Sequence, residues 1–423
     1  MITESETKME KCFFRASAAD FKKIPGSPMV YWASRATVNL FENSLLADHF
    51  EIREGLGTRD DDIFLRRFWE VDLLKVRRQH GDEKWIKTDK AGSFRKWYGN
   101  AEFVMNWEND GYAIKNHRNP DGSLKSRPQN TQFFFREAVS WNKVGSGITS
   151  FRWRDDTFGF NDAAPSVFGP DIETAHAMLC SKLFQHLVGL QGGTLNVTTG
   201  IIKSLPALLR NTNAIFAKEA VKLAEQDWNA YEHSWDFQSL PILTASTDPT
   251  PTIEFSYTAW ITKNLQIIAE MKRLEEENNR LFIDAYGLQN ELTPDVPIEQ
   301  ITLTVNPAYR YGKAMENGQW TINNGFGEEL EGRFCSDTME ELISYAIGCM
   351  MGRYSLDRKG LVYANSGNIG FDDLVNDNAY ASFSADEDGI IPITDQEWFA
   401  DDATNRFCEF IRVAWDEEHL QEN

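Results

Sequence analysis

The sequence predicts an α+β protein: a β-rich domain, then a long helical segment, then a mostly helical end. Three observations carry this. Between residues 44 and 210, short runs rich in aromatic residues are separated by turn signals such as Asn109-Asp110-Gly111 and Asn119-Pro120-Asp121-Gly122. From Ala259 to Leu292, Leu265, Ile268, Met271, Leu274, Leu281, Ala285 and Leu288 follow a heptad-like spacing, interrupted by Asn278. From Gly325 onward the apolar residues again recur at mostly helical intervals. A chain of 423 residues suffices for two or three domains. The predicted organisation is a connector over 1–43, a β-rich domain over 44–210, a helical spacer over 211–300 and an acidic C-terminal domain over 301–423.

The elements follow in order. Residues 1–11 read as a frayed tail. Pro25-Gly26-Ser27-Pro28 marks a turn, and Trp32 to Phe41 a short helix with Ala36, Leu40 and Phe41 on one side. In EGLGTRDDDIFLR (54–66), Gly55 and Gly57 permit a tight backbone, and Thr58 and Asp60 are turn or cap formers. Asp60 to Asp62 read as a solvated turn rather than a metal site, because no second carboxylate cluster lies nearby. Phe64 to Val76 reads as a strand and 77–92 as a loop. Phe103–Trp107 and Tyr112–Ile114 form a hairpin around Asn109-Asp110-Gly111. Phe133–Trp141 is strand-like. Asn142 to Thr149 is a Gly-Ser loop lacking the GxxxxGK[ST] order of a nucleotide-binding P-loop. Phe151 to Phe160 alternates like a half-buried strand. Asp171 to Leu190 reads as one helix, stopped by Gly192-Gly193, and Asn196 to Leu205 as an edge strand. Ala214 to His233 is a second helix. Thr244 to Pro251 is the clearest linker. The long helix after it serves as a spacer or as an internal core helix. Asp401-Asp402 opens the last helix, and its carboxylates are solvated caps.

Hydrophobic content of 42% and charged content of 25% belong to a globular protein. No apolar run reaches the length of a membrane span, and MITESETKMEK has no signal-peptide core. Five scattered cysteines without CxxC spacing argue against zinc and fit a reducing cytoplasm. Charge is uneven: the chain totals −21, yet residues 1–200 hold 27 Lys and Arg against 26 Asp and Glu. The acidic remainder aids solubility, faces away from a polyanion, or faces a basic partner.

Ser93 to Gly169 concentrates aromatic and basic residues together, as in SFRKWY, FFFREAVSW and FRWR. One reading is a β-domain with aromatics in its core and charges on a solvated face. The other is a nucleic-acid surface, where rings stack on bases and cations meet phosphates or base edges. On the second reading the contacts come from Arg95, Lys96, Trp97, Asn100, Arg127, Gln129, Asn130, Lys143, Ser146, Arg152 and Arg154.

The motifs FRKWYGNAEFVMNWENDGYAIK (94–115), SRPQNTQFFFREAVSW (126–141), EHSWDFQSLPIL (232–243), NRLFIDAYGLQNELTPDV (279–296), ISYAIGCMMGRYSLDRKGLVYA (343–364) and ADEDGIIPITDQEWFADD (385–402) occur in one order across the chain. This set resembles the later part of the PglX family, the adenine-specific DNA methyltransferases of BREX phage-defence systems. The resemblance implies a target-recognition domain over 44–210, opened by a Gly-rich loop near DNA that maps to Gly55, Gly57, Thr58 and Arg59. The family carries a Gly after the Thr and an Asn near Asp61, where this chain has Arg59 and Asp61. It also implies double-stranded DNA, a methyltransferase core or subunit and other BREX proteins as partners. S-adenosylmethionine is implied for the methyltransferase portion and no cofactor for this chain. The Gly-rich turn and the Asn-Pro-Pro-aromatic stretch of such enzymes are not found; the near match, Asn306 to Arg310, has Ala308 at the second Pro. The chain alone is expected to be inactive. A stand-alone DNA-binding module and an acidic decoy remain as alternatives.

Overall fold

A computed structural model describes residues 17–77, 81–145, 147–191, 195–208, 215–248, 251–312, 327–396 and 398–423. The expected tail over 1–11, the Gly192-Gly193 stop, Ser146 and part of the 244–251 linker lie outside these residues. The fold is α+β. Helix α1 (Arg35–Leu40) is capped by Ser34, whose side chain accepts from the Thr37 amide. Among the described residues, nine short strands follow: β1 (Glu51–Arg53), β2 (Leu65–Arg67), β3 (Val76–Arg77), β4 (Trp85–Asp89), β5 (Phe103–Asn106), β6 (Ala138–Trp141), β7 (Phe151–Arg154), β8 (Phe158–Phe160) and β9 (Ser166–Phe168).

They form two sheets. One is antiparallel in the order β1-β9-β6-β7, with Ile52 opposite Val167 and Ser140 opposite Arg152. The other runs β2-β5-β4-β3, with β8 also joined, parallel, to β4. The expected alternation in Phe151–Phe160 therefore resolves into two strands in two sheets. Asp89, at the end of β4, joins the sheets: it accepts from Arg154 Nε at 2.8 Å and from the Ser140 hydroxyl.

Helix α2 (Ile172–Cys180) packs on β6 and β7 of the first sheet, and α3 (Lys182–Leu190) packs against α2. The predicted single helix breaks at Ser181, whose ψ of 151° is extended and whose hydroxyl caps α3 at the Phe184 amide. Helix α4 (Ile215–Trp228) lies beside α5 (Ile253–Tyr286), which runs 34 residues from a Thr252 cap to Gly287 at φ 71°. Asn278, the polar break in the heptad pattern, is buried and donates to the Ala177 carbonyl of α2 at 2.9 Å. Helices α6 (Glu328–Met350) and α7 (Ala403–Trp415) pack together, and Asp402 caps α7 by accepting from the Asn405 amide.

Further local expectations are corrected: Phe64–Val76 is not one strand but β2 followed by short helical turns, and the 77–92 loop contains β4. The segment after β5 is no hairpin: Asn109, Asp110 and Gly111 take φ of 52°, 56° and 68°, and Tyr112–Ile114 sits in a helical turn. Asn and Asp tolerate this left-handed region, so the turn signal was sound and its flanking strand was not. Thr199–Lys203 forms a short helix capped by Thr198, where an edge strand was expected.

The main core gathers residues drawn from between Ile24 and Phe334. It joins Trp97, Trp141 and Phe151 of the β-rich part to Trp260, Ile268, Met271 and Phe282 of α5. A second core gathers Phe237, Leu240 and Ile242 with Leu342, Tyr345, Phe410 and Trp415. No helix among the described residues is long and apolar enough to cross a membrane.

Candidate nucleic-acid interface

The sequence-derived candidates divide into an interior group and a loop group. Arg95, Lys96, Trp97, Asn100, Arg152 and Arg154 are buried, so they are corrected from surface contacts to internal ones. A buried charge is tolerated only with partners, and each has them. Arg95 meets Asp227 of α4 at 2.6 Å and donates to the Tyr98 carbonyl. Lys96 pairs with Glu275 of α5, and Trp97 Nε1 donates to the same carboxylate at 2.8 Å. Asn100 donates to the Ser93 carbonyl. Arg152 donates to Asn142 Oδ1 at 2.7 Å and to the Ser150 hydroxyl, and Arg154 donates to Asp89 and to the Gly99 carbonyl.

Burial opposes the Asp89 charge, but Arg154, Arg152 and the Ser140 hydroxyl outweigh it and hold its carboxyl below the usual range. Burial lowers Arg152 to about 10. Asp227 and Glu275 come from the acidic half of the sequence. Part of that acidity is spent on the basic front half, a pairing that local charge counting misses.

The loop group converges. Gly55 passes so close to the end of β8 that a Cβ there would lie 2.3 Å from the Phe160 carbonyl oxygen. Leu56 is fully buried, bonded through its amide to the Phe160 carbonyl. Gly57 then pairs with Arg127 by two backbone hydrogen bonds of 3.0 and 2.7 Å. Thr58 donates to Asp61. Gln129 Nε2 donates to the Gly55 carbonyl at 2.9 Å and Asn130 Nδ2 to the Glu54 carbonyl at 2.8 Å. Their amides thus fasten the loop and are not turned to a ligand.

Around this frame sit paired surface charges: Arg59 with Asp162 at 3.0 Å, Lys90 with Asp61 at 3.1 Å, Lys125 with Asp60 at 2.7 Å, and Lys143 with Glu54. The hydrogen bond from Lys125 is the main reason the Asp60 carboxyl titrates low. Partial burial raises the Asp162 carboxyl despite Arg59. Exposed pairs of this kind stabilise by about 0–1 kcal/mol, so a phosphate can displace a carboxylate at little cost. Arg127 is exposed, and among the described residues its guanidinium forms no ion pair or side-chain hydrogen bond.

The Asn306 near match does not fit an amino-group acceptor. Asn306 is buried, donates to the Ile298 and Ile301 carbonyls at 2.8 Å each, and accepts from the Ala308 amide at 3.2 Å. Sequence reasoning read Asp60 only as a turn or cap former in a solvated turn, and it did not single out Lys90 or Asp162.

No family model matches the chain. It is 36% identical over 419 residues, 97% of its length, to the "Adenine-specific methyltransferase BrxX" of Escherichia coli O9:H4 (strain HS). It is 31% identical over 428 residues, again 97% of its length, to the "Adenine-specific methyltransferase PglX" of Lacticaseibacillus casei (strain Zhang). Over nearly its whole length the chain is homologous to BREX adenine-specific methyltransferases. It spans about a third of the length of each of these two relatives. The ordered motifs from Phe94 to Asp402 thus reflect real homology.

Proposed function

We propose that this chain is the DNA target-recognition and spacer portion of a BREX-type N6-adenine DNA methyltransferase. The observation that carries the reading is the homology over 97% of the chain to a third of two such enzymes. In this reading the converging loops, Gly55–Asp62, Arg127–Asn130 and the stretch around Lys143, face double-stranded DNA. Helices α4 and α5 hold that face at a fixed distance from the methyltransferase portion. S-adenosylmethionine and the transferred methyl group belong to that other portion, because the one candidate acceptor here, Asn306, is committed to its own backbone. The assembled enzyme marks host DNA in the cytoplasm and, with other BREX proteins, serves defence against phage.

Electrophoretic or anisotropy titration of duplex DNA against salt tests the reading. Each phosphate neutralised contributes about 0.9 to the slope of log K against log salt. Simultaneous replacement of Arg59, Lys125 and Lys143 by Ala is expected to flatten the slope by about two to three units. A folded chain that retains no duplex at low salt sinks the proposal. Adding the E. coli relative lacking its matched third is expected to yield adenine methylation that neither piece supports alone.

A further inference from the structure

We infer that residues 117–127 form a recognition finger that enters the major groove of duplex DNA and reads bases through Arg118, Leu124 and Arg127. The inference rests on the proposed function and locates sequence reading at one element of that same face.

The finger is a small antiparallel hairpin. Arg118 bridges Leu124, the Asn119 amide donates to the Ser123 carbonyl at 2.9 Å, and the Lys125 amide to the His117 carbonyl at 2.8 Å. Its turn is Asn119-Pro120-Asp121-Gly122, closed by the Gly122 amide donating to the Asn119 carbonyl at 2.9 Å, with Gly122 at φ 84°. The tip is internally braced: Asp121 Oδ1 accepts from the Ser123 amide at 2.9 Å and from its hydroxyl at 2.6 Å.

The base is fixed to rigid parts of the fold. Asp60 Oδ2 holds Lys125 Nζ at 2.7 Å and faces His117 Nε2 at 3.2 Å. The His117 ring packs edge-on against Phe64, the Ser126 hydroxyl donates to the Ile114 carbonyl at 2.6 Å, and Arg127 pairs with Gly57. A preorganised tip on a fixed base loses little conformational freedom on binding.

The outward side chains suit base readout. Pro120, Asp121, Gly122 and Ser123 are exposed, and Leu124 is 44% exposed, although it is a large apolar residue. Arg118 uses one donor on the Gly122 carbonyl and presents the rest to solvent. With Gln129 and Asn130 turned back onto the Gly loop, Arg127 is the outward-facing group of the Arg127–Asn130 run. A two-stranded ribbon fits a major groove roughly 12 Å wide, Arg binds guanine O6 and N7, and an apolar side chain packs on a thymine methyl.

The test is selection of duplexes from a randomised pool by the full chain, with R118A, R127A and L124S as variants and thermal melting as the folding control. The wild-type chain is expected to enrich a defined motif. Each Arg variant is expected to lose preference at one position, by a factor on the order of ten to a hundred, while keeping most of its salt-dependent affinity. Dimethyl sulfate attacks guanine N7 in the major groove, so bound wild-type chain should protect guanines that R127A leaves open. Variants that enrich the same motif with the same affinity overturn the finger and leave the recognition function standing. A wild-type chain that enriches no duplex overturns both.

Discussion

Asp89 shows how much one buried residue organises. Its carboxylate sits at the end of β4 and is shared by Arg154, Ser140 and the nearby Arg152. Removing one partner leaves charge uncompensated in the interior, which costs about 3–5 kcal/mol. R154A and D89A are each expected to lose that much in urea unfolding, before any DNA measurement is made. A variant R154A with native stability and weakened DNA binding would restore Arg154 to the surface. His176 is a second case. It is buried in α2, its Nε2 lies 3.2 Å from the Phe151 carbonyl, and burial lowers its pKa to about 4. The unfolded value is near 6.5, so the unfolded chain binds the proton first as pH falls. Its contribution is complete above about pH 6.5 and is lost as pH drops toward 4, amounting to about 3 kcal/mol. Unfolding curves at pH 7, 5.5 and 4.5 check this; H176F should flatten the dependence across that window. At Gly55 the constraint is steric. Gly55→Ala places a Cβ against the backbone oxygen of Phe160, which has no flexible side chain to yield. The loop is expected to shift, lowering both stability and duplex affinity, whereas Gly145→Ala meets open space and should be silent in stability.

At the scale of elements, α5 carries two functions that its heptad pattern alone does not separate. Its apolar stripe packs into the main core, and its Glu275 receives Lys96 and Trp97 from the segment before β5. Asp227 of α4 does the same for Arg95 and also accepts from the Thr304 and Val305 amides at 2.7 and 3.0 Å. Both acids thus bind segment 95–97 to the helices. Glu275→Ala is expected to destabilise by about 3–5 kcal/mol, because Lys96 is then left buried without a counter-charge. Glu275→Ala with Lys96→Met should recover part of that loss, since an apolar replacement of both partners removes the stranded charge. A double-mutant cycle by urea titration measures it; equal and additive losses would show that the pair is not coupled.

Across the whole molecule, the polar stretch Thr244–Pro251 separates segments that share one core. Trp260, Ile268, Met271 and Phe282 after it pack in the same cluster as Trp141 and Phe151 before it. A chain cut at Leu240 would lose those partners and would also lose Glu275 opposite Lys96. The 1–240 fragment is therefore expected to aggregate or to unfold cooperatively at much lower temperature. Co-expression with 251–423 should rescue it. Limited proteolysis of the intact chain at 244–251 is expected to give two fragments that co-elute in gel filtration; separation of a folded front fragment would show that the shared core is dispensable.

By itself the sequence determined the α+β class, the presence of the long helix, whose expected Ala259–Leu292 span lies about six residues late of the observed Ile253–Tyr286, the turn-forming Asn and Gly positions, and the family resemblance that homology over 97% of the chain supports. These are local signals: spacing, cap chemistry and residue order act within a few turns of backbone. What only the tertiary structure decided was which basic residues face outward. Arg152 and Arg127 look alike in sequence, yet one is fully buried beside Asp89 and the other is exposed beside Gly57. The partners that decide this, Asp227 for Arg95 and Glu275 for Lys96, stand more than a hundred residues away. The hydrophobic core brings them together, because burying the surrounding aromatics carries the cations inside, where only an opposite charge makes them tolerable.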